Sequence, residues 1–388
     1  MENVMKTMTG LLKSEIDSSC FTACAAFTDD ELLSLYELSK HHDLAALVCD
    51  ALDRAHILPD NAVGEKFRKE RLIAMLHTAK LEYEIPRITA VLERAQIPYI
   101  PLKGAVIRPL YPEPWMRNSC DMDIFVRETD LMSAAAAVER ELGYRTDGKK
   151  GPHDLLCVSP DGLHLELHYT LIEDSAAGAM ADKPLAGIEN FMIPTDNPYR
   201  FRLSEDMFYY YHIAHMAKHF LHGGCGIKPF LDLKIMRENR ERDNAATEKL
   251  LAAGGLSAFA KTAEELSRVW FGTAEHSDLT RRMEAYVLEG GVYGTTEMRV
   301  AVQQARKGGK FRYILSRLWL PYDALKFKYP SLEKHRWLLP LYELRRCFGL
   351  IFGGGARRSL REFRINNRID ASETCDMNDL LSRLGLDK

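Results

Sequence analysis

Two aspartates stand one residue apart in the run 120–126 (CDMDIFV), whose polar and apolar positions alternate. Alternation is typical of a β-strand, so Asp121 and Asp123 are predicted to share one face, about 7 Å apart. Two carboxylates held in this way repel each other, and a cation between them relieves the repulsion. Mg²⁺ suits the position because it prefers oxygen ligands and is commonly bound by carboxylates together with substrate phosphates. A solvated strand face or a turn is the alternative. Because of the repulsion, Asp123→Asn is predicted to leave the fold intact or slightly more stable.

A third carboxylate and a glycine turn lie on either side of this pair. Glu166 is in the alternating run 164–168 (HLELH), and it joins the same site if the two strands are neighbours. Upstream, Gly104 follows an extended run and allows phosphate oxygens to approach backbone N–H groups at a helix start. Lys103 and Arg117 would supply positive charge to those phosphates, and neither has an acidic partner at i±4 on a helix. Solvation of a loop is the alternative role for both. Together these features indicate metal-dependent phosphoryl or nucleotidyl transfer.

Four histidines at i, i+3, i+7 and i+10 follow one side of a predicted helix: His212, His215, His219 and His222. Zinc binding is one interpretation, although the spacing is not that of H-E-x-x-H. Histidines with no special role are a second. The third is a helix face that lines a nucleotide cleft, with His215, Lys218 and His219 near phosphate or base.

Asp232 lies on the helix that follows these histidines. It would orient one of them or act as a base on the acceptor. The alternative is an ion pair with Lys234 or Arg237 near the start of its own helix.

The elements that must position these residues follow from hydrophobic periodicity. Residues 30–95 are predicted to be helical, with Thr28 and Asp29 as caps and a long helix over 66–85, after which Pro86 falls where another helix could begin. Residues 97–170 are predicted to run strand, helix, strand, helix, strand, strand, with a hairpin at Ser-Pro-Asp-Gly. Residues 175–197 are predicted to be a loop or a crossing segment, and the chain is predicted to be helical again from 204 onward.

Composition and charge exclude several classes of protein. The chain has 388 residues, of which 46% are hydrophobic, and its 52 Lys+Arg against 55 Asp+Glu give a net charge of −3. This balance excludes a chain-wide basic field, so we expect no strong general nucleic-acid binding. The eight cysteines form no C-x-x-C pair, and the N-terminus has no sustained apolar region. We therefore expect a cytoplasmic protein with no membrane partner.

Several runs resemble the uncharacterised nucleotidyltransferase family of the DNA polymerase β-like superfamily: IPYIPLKGA, LYPEPWMRNSCDMDIFV and HLELH, and downstream HIAHMAKHFLHGGCGIKPFLDL. That superfamily has a Gly-Ser or similar turn at a helix start, a D-x-D pair on one strand and a third acid on a later strand. The matching residues are Lys103-Gly104, then Asp121 and Asp123, then Glu166. Ala105 stands where serine is usual, so the turn itself offers no hydroxyl to a phosphate.

The resemblance implies an α+β fold with a small mixed nucleotidyltransferase sheet. The sheet core (96–175) would lie between an N-terminal helical region (1–95) and a C-terminal helical domain with a polar tail (176–388). It implies a nucleotide-binding transferase that moves an NMP from an NTP, such as ATP, to an unidentified hydroxyl of a protein, a small molecule or RNA. Asp121, Asp123 and Glu166 would bind two Mg²⁺, or Mn²⁺.

Two other functions remain open. One is a non-catalytic nucleotide-sensing or interaction protein on the same fold. The other is a sugar-nucleotide glycosyltransferase, which can also use D-x-D but usually has a doubly wound domain ahead of it, where residues 1–95 look helical. Pyrophosphate release would separate the three functions.

Overall fold

The fold begins with helices and continues into a small sheet. The computed structural model describes residues 2–22, 27–146, 148–172, 180–320, 322, 325, 329, 331–352 and 356–387. The first half contains helices α1 (Glu2–Ile16), α2 (Asp29–His41), α3 (Ala45–Arg54), α4 (Ala62–Arg94), α5 (Gly104–Ile107) and α6 (Leu131–Leu142) and strands β1 (Tyr99–Pro101), β2 (Asp121–Val126), β3 (Asp154–Val158) and β4 (His164–His168). Short 3₁₀ turns cover Arg108–Leu110 and Pro114–Met116.

The second half is mainly helical. A 3₁₀ segment (Leu185–Phe191) and strands β5 (Met192–Pro194) and β6 (Phe201–Leu203) precede helices α7 (Glu205–Leu221), α8 (Lys228–Asn239), α9 (Asn244–Ala253), α10 (Ser257–Phe271), α11 (Asp278–Gly290), α12 (Thr296–Lys307), α13 (Lys310–Leu318), α14 (Ser331–Lys334), α15 (Leu339–Phe352), α16 (Ala356–Arg368) and α17 (Ala371–Arg383). A further 3₁₀ turn covers Arg336–Leu338. With the small sheet, this confirms the predicted α+β class.

The N-terminal helices show one confirmed and one wrong prediction. Thr28 caps α2 in a full capping box with Glu31, as its sequence position predicts. The prediction of a new helix at Pro86 is wrong, since α4 continues through it to Arg94. Proline removes one helical hydrogen bond, but Ile88 and Val91 beyond it are fully buried against the sheet, and that burial outweighs the loss.

The sheet has the strand order β1-β2-β4-β3 and is mixed, as predicted. β1 pairs antiparallel with β2, β2 parallel with β4, and β4 antiparallel with β3. The turn between β3 and β4 is closed by the Ser159 hydroxyl, which accepts the backbone N–H of Leu163 at 2.9 Å. Because β2 and β4 are direct neighbours, side chains on their equivalent positions meet.

The two faces of the sheet differ in chemistry. One carries Met122, Ile124, Leu165 and Leu167 and packs on α4 and α6 in a separate hydrophobic cluster. The opposite face carries the acidic residues of β2 and β4. A second, larger cluster joins α1 and α3 to α7, α8 and α10.

The segment 175–197 is only partly the loop that was predicted. The 3₁₀ segment buries Leu185 and Ile188, and β5 pairs antiparallel with β6. The prediction of a loop is therefore wrong for residues 185–194, because these apolar side chains find partners that the Ala-, Gly- and Pro-rich composition conceals. Residues 175–179 lie outside the described part of the chain.

Candidate active site

Three acids share the polar face of the sheet. The parallel pairing of β2 and β4 sets Asp123 opposite Glu166 and Asp121 opposite His164. Side chains two residues apart on a strand point to the same face, so Asp121 joins Asp123 and Glu166 there. One ligand atom each of Asp123, Glu166 and His168 lies within 4.8 Å of the others. This group of possible ligands thus contains two of the three carboxylates that the sequence selected, together with a histidine, whereas Asp121 lies on the same face but outside the group.

Asp123 is the buried centre of this group, with 3% of its surface exposed. Its Oδ1 accepts a hydrogen bond from Lys103 Nζ at 2.7 Å and lies 2.9 Å from His168 Nε2. Burial alone would raise the pKa of Asp123, but the positive charge of Lys103 and the hydrogen bond from His168 outweigh it and hold that pKa well below its usual range. Asp123 is therefore ionised and fixed in orientation.

His168 bridges two of the acids. Its Nε2 lies 3.3 Å from Glu166 Oε2 as well as against Asp123, and only 1% of its side chain is exposed. Burial lowers the pKa of His168, but hydrogen bonds to Asp123 and then Glu166 raise it more, so the net shift is upward. On its other side the ring stacks on His153, with centroids 5.8 Å apart.

Asp121 shows that negative charge is in excess here. Burial raises its pKa to about 6, and repulsion from Asp123 and Glu166 adds to the shift. A divalent cation would relieve that repulsion, and two or three carboxylates form a donor set that suits Mg²⁺. The same carboxylate oxygens also suit Mn²⁺. The residues present therefore fit a divalent cation.

The glycine turn lies next to this group. Lys103 adopts a positive φ of 41° at the start of α5, which points to a tightly constrained turn. A Cβ added to Gly104 would lie 3.0 Å from Ser119 Oγ, so a larger residue here would have to displace the Ser119 side chain by a few tenths of an ångström. Ser119 in turn accepts a hydrogen bond from Arg108 at 2.5 Å. A hydroxyl therefore stands at the turn even though Ala105 supplies none.

Arg117 and Asp232 bind each other. Arg117 Nε donates to Asp232 Oδ1 at 2.8 Å and to Oδ2 at 3.1 Å, and the Tyr111 hydroxyl donates to Oδ1 at 2.7 Å. Asp232 is fully buried, and 13% of the Arg117 side chain is exposed. The pairing of Asp232 with Lys234 or Arg237 does not occur: Lys234 Nζ binds Asp17 and Glu238, and Arg237 binds Glu264.

Helix α7 presents cationic and aromatic groups to the site. Burial, then the charges of His219 and Lys103, bring the pKa of His215 well below its usual value. Burial and Lys103 likewise lower the pKa of Lys218 to about 8, while Glu166 acts in the opposite direction. Tyr211 lies one turn before His215, and Lys103 is the charge that acts most on its buried phenol. Lys218 and Tyr211 therefore interact electrostatically with Glu166, and His215 interacts with Lys103 and His168.

The four histidines of α7 do not meet at one point. His215 and His219 contact each other, with 3.2 Å between their Nε2 atoms. His212 Nε2 faces the backbone carbonyl of Pro229 at 3.1 Å, and His222 Nδ1 faces that of Lys218 at 2.9 Å. Within the described residues the metal-type cluster is that of Asp123, Glu166 and His168, which includes none of these histidines.

The sequence interpretation missed His168, Ser119 and Tyr211 as site residues. The signal for His168 was present, since it follows Glu166 by two positions on one strand and so shares its face. Ser119 likewise precedes Asp121 by two residues. Nothing in the local pattern marks Tyr211, which reaches the site only because α7 packs near it.

Comparison with protein families identifies the chain. A family model described as an uncharacterised nucleotidyltransferase matches residues 29–272, well over half of the chain, and the chain belongs to that family. Comparisons with curated proteins and with solved structures found no match. Among the described residues, no helix has both the length and the apolar character needed to cross a membrane.

Proposed function

We propose that this nucleotidyltransferase-family protein moves a nucleoside monophosphate from an NTP to a hydroxyl of a separate acceptor, with divalent cations bound by Asp121, Asp123 and Glu166. The observation that carries the proposal is the parallel pairing of β2 and β4, which sets Asp123 opposite Glu166. Three carboxylates on one face beside a glycine turn form an arrangement that favours bound cations, and such cations commonly also bind substrate phosphates. The three-part division at residues 95 and 175 remains part of this proposal.

The chain's own residues would position the reactants. When bound, Mg²⁺ or Mn²⁺ would neutralise part of the phosphate charge and lower the pKa of the attacking hydroxyl. Asp123 keeps its orientation through Lys103 and His168. Glu166 is more exposed than Asp123, with 26% of its side chain accessible against 3%. Such fixed charges act by positioning and by electrostatic stabilisation.

The NTP phosphates would lie between Lys103 and Lys218. The positive charge of Lys103 repels that of Lys218 and contributes to the lowered pKa of Lys218. An anion placed between two such cations is stabilised by both. Gly104 directly follows Lys103, and the Ser119 hydroxyl lies next to that glycine. His215 and His219, half-buried and held neutral by low pKa values, would contact the nucleoside rather than its phosphates. Arg117 and Asp232, assigned to phosphate and acceptor by sequence alone, would support the site through their mutual pair.

Of the two alternatives, the glycosyltransferase is the weaker. The described residues ahead of Tyr99 form helices α1–α4 and no strand, whereas that class usually places a doubly wound nucleotide domain there. A nucleotide-sensing protein would keep the same geometry without turnover.

The decisive experiment uses each α-labelled NTP with Mg²⁺ and a cell lysate as the source of acceptor. Transfer of label together with pyrophosphate release is expected for the parent chain and for Asp161→Asn, a control carboxylate on the exposed β3–β4 turn. Both signals are expected to vanish in Asp121→Asn. NTP binding without pyrophosphate release would support the sensing alternative, and release that survives Asp121→Asn would refute the assigned site.

A further inference from the structure

Positive charge is concentrated in one part of the chain. Residues 306–368 contain sixteen Lys and Arg against four Asp and Glu, whereas the rest contains 36 against 51. The near-neutral total therefore hides a basic segment on an acidic protein. Such asymmetry is typical of proteins that bind an anionic surface.

The helices of this segment also expose large apolar side chains. On α15 and the turn before it, Trp337 is 77% and Leu341 61% exposed, and Leu344 follows at i+3. On α16, Leu360 and Phe363 form a similar exposed i, i+3 pair. Residues three and four apart lie on one side of a helix, so each helix carries an apolar stripe that faces solvent.

Basic side chains run alongside one of these stripes. Arg361, Arg364 and Arg368 are exposed on α16 at i, i+3 and i+7. On the same helix, Ile365 and Asn366 are buried against the protein. The helix therefore has three sides: one packed inward, one apolar and one cationic. We call Trp337, Leu341, Leu344, Leu360 and Phe363 with the three arginines the basic-apolar surface.

We propose that the basic-apolar surface docks the protein peripherally on an anionic lipid membrane. Helices with exposed Leu, Phe and Trp beside a cationic side lie in the interface between headgroups and acyl chains, where lipid burial and anionic charge stabilise them together. The proposal concerns surface attachment and not spanning. It departs from the expectation of no membrane partner and is independent of the proposed function.

Charge decides against a second copy of the chain as the occupant. A symmetric dimer through this surface would place the two sets of arginines together, and like charges repel. Aliphatic side chains decide against nucleic acid, since bases stack on aromatic rings and gain little from Leu341, Leu344 or Leu360. Lipid is the partner that uses both parts of the surface.

The test is co-sedimentation of the full chain with vesicles of phosphatidylserine and phosphatidylcholine, or of phosphatidylcholine alone. Binding is expected to the anionic vesicles only and to weaken as salt rises. It should shift the emission of the exposed Trp337 to shorter wavelength. Arg361→Gln/Arg364→Gln/Arg368→Gln is expected to lower partitioning by about a hundredfold, since each basic residue near such a surface contributes about fivefold.

An apolar variant and its matched control complete the design. Trp337→Ser/Leu341→Ser/Leu344→Ser should also lose binding, whereas Leu72→Ser/Leu76→Ser, which removes exposed apolar residues of α4, should keep it. Melting temperatures identify any variant that fails to fold, and Arg→Lys replacements should restore binding if folding is intact. The proposal is refuted if the parent chain does not bind anionic vesicles, or if the Trp337 variant binds them as well as the Leu72 control does. It is also refuted if the three arginines are needed for binding to single-stranded RNA but not to lipid.

Discussion

The pair between Arg117 and Asp232 offers the sharpest test of how the site is supported. Asp232→Asn keeps an acceptor for the Tyr111 hydroxyl but leaves the Arg117 guanidinium, 13% exposed, without its counter-ion. Removing one partner of a buried pair costs about 3–5 kcal/mol. The retained Tyr111 bond places the expected loss at the lower end, about 3 kcal/mol in the free energy of unfolding.

Urea unfolding of matched variants measures this loss. Arg117→Met combined with Asp232→Asn removes the isolated charge and is expected to recover most of the stability, which a double-mutant cycle would show as strong coupling. Glu141→Gln is the control: it breaks the exposed pair with Arg94 and should leave the free energy of unfolding nearly unchanged. The reasoning is refuted if Asp232→Asn unfolds like the parent while its apparent NTP affinity falls, because Asp232 would then act on the nucleotide.

Three more predictions concern the site and its surroundings. Asp123→Asn should abolish transfer and cost about 3 kcal/mol, since it removes the buried carboxylate that accepts the hydrogen bond of Lys103 Nζ at 2.7 Å. Asp121→Asn should abolish transfer but raise the unfolding free energy, because it relieves the repulsion that helps to raise the pKa of Asp121. Assays of transfer and urea unfolding check both. Lys103→Ala should weaken ATP, GTP, CTP and UTP equally, by about tenfold to a hundredfold, and a loss confined to one base would place the residue at the base instead. Burial lowers the folded pKa of His42 to about 3 and of His219 to about 4, so the unfolded chain binds protons that the folded chain does not. Each of these histidines should lower the free energy of unfolding by about 1.2 kcal/mol from pH 7 to 5.5, whereas Asp121 and His168, whose pKa values are raised, act in the opposite direction. Urea titrations of the parent chain and of His42→Gln isolate one histidine, and equal pH slopes would contradict its burial.

The strands and the shared acidic face could be predicted because strand geometry is local. Alternation in 120–126 and 164–168 fixes which side chains point together, and β2 and β4 are found within a residue of those runs. The convergence of Asp121 and Asp123 with Glu166 needed one further condition, that the two strands be neighbours. Only one crossover helix and one short hairpin separate the two strands in sequence, and elements that follow one another closely are usually neighbours in the fold.

The partners of the cations could not be predicted, because they come from distant parts of the chain. A search for acids at i±4 on a helix finds none for Lys103 or Arg117. Lys103, which follows β1, nevertheless binds Asp123 on the neighbouring strand β2, and Arg117 binds Asp232 on α8. These partners reverse the predicted effect of Asp123→Asn on the free energy of unfolding. From sequence, Asp123 belongs to a repelling pair, so its neutralisation should stabilise the fold. In the structure it is the anion that Lys103 and His168 require, and the excess negative charge falls on Asp121, whose pKa is the one that rises. Two aspartates with the same sequence context therefore have opposite electrostatic roles, and only the packing of α5 and β4 around them decides which is which.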